Sequence, residues 1–141
     1  KENKIKIYLS ALNDLNIDRS VRISTTDNRL LRRIVRDNRT RGHTVNHTLE
    51  AWAKVRNGEE KYIFPYQDMA DITINTALTY EIGVLKVYVE PLLYSVDITS
   101  PYKKKKKRLL NFLRLFLPIP SESIPNDSIL REFVGGGCFK I

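Results

Sequence analysis

Four arginines recur at helical spacing within residues 26–43, at Arg29, Arg32, Arg33 and Arg36. On a helical wheel of about 100° per residue, they lie opposite an apolar arc formed by Leu30, Leu31, Ile34 and Val35. A guanidinium group is always charged, and its fork of N–H donors fits two phosphate oxygens at once. The pattern predicts a helix whose apolar face packs and whose cationic face binds a polyanion. The alternative is a solvated face, whose exposed ion pairs contribute only about 0–1 kcal/mol.

Two features favour a phosphate ligand over a solvated face. The carboxylates within the helix, Asp27 and Asp37, are too few to neutralise the arginines, and Arg39 and Arg41 continue the row up to a Gly-His turn. Phosphoryl transfer depends on positioning and on neutralising developing charge. A mobile helical hairpin with arginines at its tip therefore suits a kinase.

The hairpin requires a helix on each side of this turn. The first helix has three candidate N-cap hydroxyls: Ser24, Thr25 and Thr26. It should end near Arg41, because Gly42 readily adopts the left-handed conformation that follows a helix. Thr44 can cap a second helix, which we expect to end at Asn57 and Gly58.

The remaining patterns predict a mixture of strands and helices. Alternation predicts strands at residues 4–10, with the apolar face buried, and at 70–75. Within residues 79–96 we expect a strand-like first half and a helix from about Glu90, because Pro91 suits the first turn of a helix. A further helix should begin at Tyr102 and end before Pro118, and a short last helix should close at residues 135–137.

Composition narrows the class of protein. The chain has 141 residues, enough for one domain, and a formal net charge of +8, which favours an anionic partner. The single cysteine, Cys138, excludes an internal disulfide framework. No run of about 18 apolar residues is present, so we expect a cytoplasmic protein without a membrane partner. The chain begins without Met and enters a strand pattern almost at once, so we expect a fragment of a longer protein.

The arginines belong to a longer sequence motif: Thr26-Asp27-x-Arg29-Leu30-x-Arg32-Arg33-x-x-Arg36-Asp37-x-x-x-Arg41-Gly42-His43. It closely resembles the lid region of the uridine kinase and phosphoribulokinase family of P-loop kinases. Residues 4–9 and 70–74 resemble the family's strands before and after the lid. Residues 77–82 and 127–133 resemble a long bacterial branch, in which a threonyl-tRNA-synthetase-like region precedes the kinase.

The resemblance implies an α/β fold, the C-terminal part of a P-loop kinase with parallel strands, a helical lid hairpin and additional C-terminal helices. Residues 1–99 would form the C-terminal half of the kinase domain, with the lid at 26–58, and residues 100–141 a helical extension. Implied catalytic residues are Arg33, Arg36 and Arg41. Implied nucleotide-binding or substrate-binding residues are Arg29, Arg32 and His43, and His43 stands where uridine kinases usually have an arginine.

The activity implied by the resemblance is transfer of a phosphoryl group from ATP, with Mg²⁺, to a nucleoside resembling uridine or to another small hydroxyl acceptor. No Gly-x4-Gly-Lys-Ser/Thr loop occurs in the sequence. We therefore expect ATP and Mg²⁺ to be held mainly outside this chain, and the chain alone to be inactive. Exposed strand edges should make the isolated chain poorly soluble or a homo-oligomer.

Other assignments stay open at the level of sequence. The main alternative is a non-enzymatic basic module that binds RNA or DNA through the arginine helix and the lysines at 103–107. A relative that binds nucleotide only for regulation is a third. A metal site is not expected, because Thr44 stands between His43 and His47 where a metalloprotease helix has its general-base glutamate, and a third ligand is not evident.

Overall fold

The structure, a computed structural model, describes residues 4–12, 16, 19 and 22–139. Its strands and α-helices in chain order are β1 (Ile7–Ser10), α1 (Thr25–Arg41), α2 (Val45–Tyr62), β2 (Ile72–Asn75), α3 (Glu81–Tyr94), α4 (Lys103–Leu113) and α5 (Arg131–Val134). Short 3-10 helices lie at Phe64–Met69 and Ser121–Ser123. The predicted α/β class is confirmed.

β1 and β2 form a small parallel sheet. Ile7 pairs with Ile72 and Leu9 with Ile74, so these four apolar side chains share one face. That face is exposed, by 54% at Ile7 and 61% at Leu9, whereas Tyr8 on the other face is buried. The prediction that the apolar face of the first strand is buried is therefore wrong, because within the described residues the interior lies on the Tyr8 side.

Local capping fixes both ends of α1. The Ser24 hydroxyl accepts a hydrogen bond from the Asp27 amide at 3.3 Å, and Gly42 ends the helix with φ of 65°. The Thr44 hydroxyl caps α2 by accepting from the His47 amide. These three capping predictions are confirmed, which shows that short-range rules suffice to place the α1–α2 hairpin.

The hydrophobic core is arranged around α1, which contacts α2, α3 and α5. The predicted apolar arc of α1 is fully inside, with Leu30 and Leu31 at 0% exposure. Val84, Leu85, Val89 and Leu93 of α3 and Leu109 and Leu113 of α4 join the same core cluster. The packing face predicted for α1 is thus confirmed.

α2 continues past Asn57 and Gly58 to Tyr62, so the predicted end of this helix is wrong. Gly58 does not have a positive φ, and the turn that follows it is held by one ion pair to α1 and one within α2. Glu59 is buried and binds both Arg29 and Arg56. These ion pairs stabilise the last turns against the glycine.

Residues 81–94 form one helix, so the strand-like half predicted within residues 79–96 is wrong, and so is the helix start near Glu90. Pro91 lies inside the helix and removes one amide donor from it. The burial of Val84, Leu85 and Val89 at 0% exposure outweighs that loss.

The C-terminal helices lie within the segments for which the sequence predicts helices. α4 covers residues 103–113, and α5 is the short helix predicted before the glycines, with Gly135 at its end. Within the described ranges, no helix is both long and apolar enough to cross a membrane.

Alanine substitutions at two glycines inside helices should have opposite effects on stability. A Cβ at Gly83 would lie 2.8 Å from the Leu117 carbonyl oxygen, whereas a Cβ at Gly58 would meet nothing within 4 Å. We expect Gly83→Ala to lower the free energy of unfolding by about 1–3 kcal/mol through overpacking. Gly58→Ala should raise it by about 0.5–1 kcal/mol. Urea denaturation of both variants measures this, and equal shifts would contradict the α3 packing described here.

Candidate functional site

A cavity of about 420 Å³, here called the arginine cavity, lies where α1 passes the carboxyl ends of β1 and β2. Ser10 lines it from the end of β1, and Thr76, which follows β2, also lines it. Ligands of open parallel sheets bind at this edge. The cationic wall consists of Arg29, Arg32, Arg33 and Arg36, and other lining residues include Trp52, Val55, Glu59, Glu132 and Phe133. The structure thus brings together four of the six predicted site residues.

A larger cavity of about 500 Å³ lies beside residues 135–137. Its arginines already bind main-chain carbonyls: Arg39 donates to Phe133 at 2.9 Å, and Arg131 donates to Ser121 at 3.0 Å. Because these guanidinium groups hold the C-terminal segment together, the arginine cavity is the better candidate for ligand binding.

Arg32 is buried, with 7% exposure, and its Nε and Nη2 donors are engaged by protein groups. It forms a two-point ion pair with Glu81 and donates to the Thr76 carbonyl at 2.7 Å. Asn28 donates to the same carboxylate. The prediction that Arg32 shares an open cationic face with the other arginines is wrong, because position 32 lies at the edge of the arc, where α1 meets α3.

Arg29 is held at the opposite end of the row by α2. Its Nη2 lies 2.7 Å from Glu59 Oε1, and its guanidinium lies 5.8 Å from the centroid of the Phe64 ring. Arg56 pairs with the same glutamate at 3.2 Å. Glu59 thus positions Arg29 along the cavity wall.

Arg33, Arg36 and Arg41 converge on one carboxylate, Asp37. The nearest nitrogen of each lies 3.2, 3.6 and 3.0 Å, respectively, from an Asp37 oxygen. The Asp37 side chain is only 3% exposed. A buried carboxylate shared in this way restricts where the three guanidinium groups can lie.

The arginine row is balanced by carboxylates from outside α1. Glu59, Glu81 and Glu132 each bind one arginine of the row. Asp27 does not contribute, because Arg108 of α4 binds it through two contacts at 2.6 and 2.7 Å. The hydrogen bond with Asp27 raises the pKa of Arg108 above its usual value. Sequence reasoning, which counted carboxylates within the helix only, missed these partners.

The family model of the phosphoribulokinase / uridine kinase family matches residues 4–82, more than half of the chain. The chain belongs to this family. The match covers β1, α1, α2 and β2, and therefore the strand ends and the arginines of the cavity. Neither the curated proteins nor the solved structures contain a match to the chain.

Two residues implied by the family resemblance lie outside the cavity lining. Arg41 is at the end of α1 with 51% of its side chain exposed. The His43 ring lies 4.2 Å from the His47 ring, centroid to centroid, at the α1–α2 turn. The Asp37 carboxylate connects Arg41 to the cavity arginines, whereas His43 contacts Asp37 through the main chain, its amide donating to the Asp37 carbonyl at 3.1 Å.

Kinase families in general use ATP and Mg²⁺. The cavity wall presents the guanidinium groups of Arg29, Arg33 and Arg36, each of which is paired with at least one carboxylate. Each guanidinium group has five N–H donors in a fixed fork, so an anion with several acceptor oxygens fits this wall. For Mg²⁺, the described part of the chain contains no group of three or more His, Cys, Asp or Glu residues that could hold a metal.

We expect Glu81→Gln to lower the free energy of unfolding by about 3–5 kcal/mol, because it leaves the buried Arg32 cation without a charged partner. Glu90→Gln is the matched control on α3, since Glu90 forms no ion pair or hydrogen bond within the described residues. Its effect should stay within about 0.5 kcal/mol. Urea denaturation monitored by circular dichroism compares them, and equal midpoints would contradict a stabilising role for this pair.

Proposed function

We propose that this chain supplies the phosphate-binding arginines and part of the acceptor pocket of an ATP-dependent kinase. The proposed acceptor is a nucleoside resembling uridine or another small molecule with a hydroxyl group. The observation that carries the proposal is the arginine cavity, where the guanidinium groups of Arg29, Arg33 and Arg36 lie together at the carboxyl ends of parallel strands. Membership of the kinase family supports the reaction class.

In the proposed reaction, the acceptor oxygen forms a bond to the γ-phosphorus of ATP. The bond from that phosphorus to the β,γ-bridging oxygen breaks, ADP leaves, and the hydroxyl proton is released. Negative charge on the phosphate oxygens then needs nearby donors. Arg29 and Arg36 are separated by about 10 Å along the helix axis, so the row can contact more than one phosphate group.

The arginines have different proposed roles. Arg33 and Arg36 contact the transferred phosphoryl group, and Arg29 binds elsewhere along the nucleotide. Arg32 donates from Nε and Nη2 to Glu81 and Thr76, so it positions the cavity wall. Arg41 and His43 lie on the turn and contact the nucleotide only when this tip of the proposed lid approaches the cavity.

The proposal concerns the complete protein in the cytoplasm. The sequence contains no Gly-x4-Gly-Lys-Ser/Thr loop, so the proposal assigns no activity to the chain alone. Mg²⁺ supplies neutralisation of phosphate charge when bound, and the proposal places no Mg²⁺ ligand on the described residues.

We expect Arg33→Ala and Arg36→Ala, each made in the complete protein, to lower kcat/KM by about a hundredfold or more, because each removes donors to developing charge. Arg114→Ala is the matched control, since this exposed arginine does not line the arginine cavity. Transfer of phosphate from radiolabelled ATP to ribonucleosides measures kcat/KM for each variant. Full activity in both cavity variants would show that the assignment of these arginines is wrong.

A second candidate function, nucleic-acid binding, is favoured by the lysine run of α4. The side chains of Lys103, Lys104 and Lys107 make no hydrogen bond or ion pair within the described residues. Lys103 and Lys107 line a groove of about 370 Å³ together with Tyr94, which is 58% exposed and offers a ring for base stacking. Backbone phosphates and stacked bases fit such a groove.

If the lysine groove binds single-stranded RNA, replacing Lys103, Lys104 and Lys107 with Ala should weaken binding and reduce the slope of log affinity against log salt by about 2. Fluorescence anisotropy with a labelled 12-nucleotide RNA measures this. The Arg33→Ala/Arg36→Ala double variant should bind RNA unchanged. RNA binding that is absent, or that depends on the cavity arginines alone, would contradict the second function.

A further inference from the structure

The Asp37 carboxylate contacts the arginine row differently from the other carboxylates. Glu59, Glu81 and Glu132 each pair with one arginine of the row and approach it from another helix. Asp37 belongs to α1 itself and lies close to two arginines of the row, Arg33 and Arg36. Its side chain is 3% exposed, so it lies beneath the guanidinium groups and does not line the arginine cavity.

The contacts with Asp37 use the inner nitrogen of each guanidinium group. Arg33 Nε lies 3.2 Å and Arg36 Nε lies 3.6 Å from an Asp37 oxygen. The terminal nitrogens Nη1 and Nη2 of Arg33 donate no hydrogen bond to any of the residues that the structure describes. Because a guanidinium group is planar and rigid, a contact at Nε sets the direction of these terminal donors. The Arg33 donors therefore remain available to a ligand in the cavity.

Asp37 also connects the cavity wall to the turn between α1 and α2. Its carboxylate accepts a hydrogen bond from Arg41 Nη1 at 3.0 Å, and its carbonyl accepts from the His43 amide at 3.1 Å. Arg33 and Arg36 line the cavity, whereas Arg41 and His43 do not. A movement of the turn therefore changes the contacts of the carboxylate that holds the cavity arginines.

We propose that Asp37 is a positioning residue of the kinase reaction. It orients Arg33 and Arg36 so that their terminal donors face the transferred phosphoryl group, and it couples this orientation to the position of the turn. The inference rests on the proposed kinase function. Donors that are oriented in advance need no reorganisation when charge develops, so Asp37 affects the transition state more than the binding of ATP. Removing its charge also leaves the wall more cationic, which does not weaken the attraction of ATP.

The test uses the complete protein, with radiolabelled ATP and the four common ribonucleosides as acceptor probes. We expect Asp37→Asn to lower kcat about tenfold or more, while the KM for ATP stays within about twofold. If Asp37 acts through Arg33, the same substitution in an Arg33→Ala background should lower kcat by about threefold or less. A purely structural role would give equal losses in both backgrounds.

Asp27→Asn is the matched control. Asp27 is another aspartate of α1 with low side-chain exposure, 10%, but it pairs with Arg108, which does not line the arginine cavity. This substitution should lower the urea midpoint and leave kcat within about twofold. An equal loss of kcat in Asp27→Asn would overturn the inference, because loss of any ion pair of α1 would then have the same effect.

Asp37→Glu serves if Asp37→Asn fails to fold, since it keeps the charge and displaces the carboxylate by one methylene. A misplacement of about 1 Å can cost a large factor in rate, so its kcat should also fall while the KM for ATP stays within about twofold. An unchanged kcat in the variant that folds, or equal losses in the two backgrounds, would overturn the inference alone. If the unmodified protein transfers phosphate from ATP to no acceptor at all, the proposed function fails and the inference fails with it.

Discussion

The buried ion pair between Arg32 and Glu81 determines how the rest of the structure is arranged. It joins the middle of α1 to the start of α3, and the Arg32 contact with the Thr76 carbonyl adds the end of β2. A buried cation and carboxylate are tolerated only with close partners, so this contact allows α1 little freedom to rotate. With Arg32 turned inward, Arg29, Arg33 and Arg36 are left along the cavity.

The site is a set of matched charges rather than a bare cationic surface. Glu59, Asp37 and Glu132 orient the arginines from α2, α1 and α5. A ligand of this cavity has to offer oxygens that compete with carboxylates already in place. Such a site discriminates more strongly than an open row of cations, because weakly matched anions gain too little to replace those contacts.

The sequence predicts the structural features that depend on interactions between residues close together in the chain. The caps at Gly42 and Thr44 and the apolar arc of α1 follow from spacing alone, and the structure has them; for the first cap, the structure selects Ser24 from the three candidate hydroxyls. The position of Arg32 and the helix at residues 81–94 depend on packing between distant segments, which periodicity does not report. A glutamate at the head of an apolar helix, as Glu81 is, was a usable signal, because a buried carboxylate requires a cationic partner.

The sheet also bears on how the protein folds. β1 and β2 are neighbours in space, yet the hydrogen bond from Lys6 to Asp71 at their start joins residues 65 positions apart. Contacts at such separation carry a large loop-closure entropy and form slowly unless the intervening chain is already compact. The α1–α2 hairpin lies in that interval and forms through local contacts. Strand pairing should therefore follow formation of the hairpin. The part of the arginine cavity that is lined by the ends of β1 and β2 then forms late in folding.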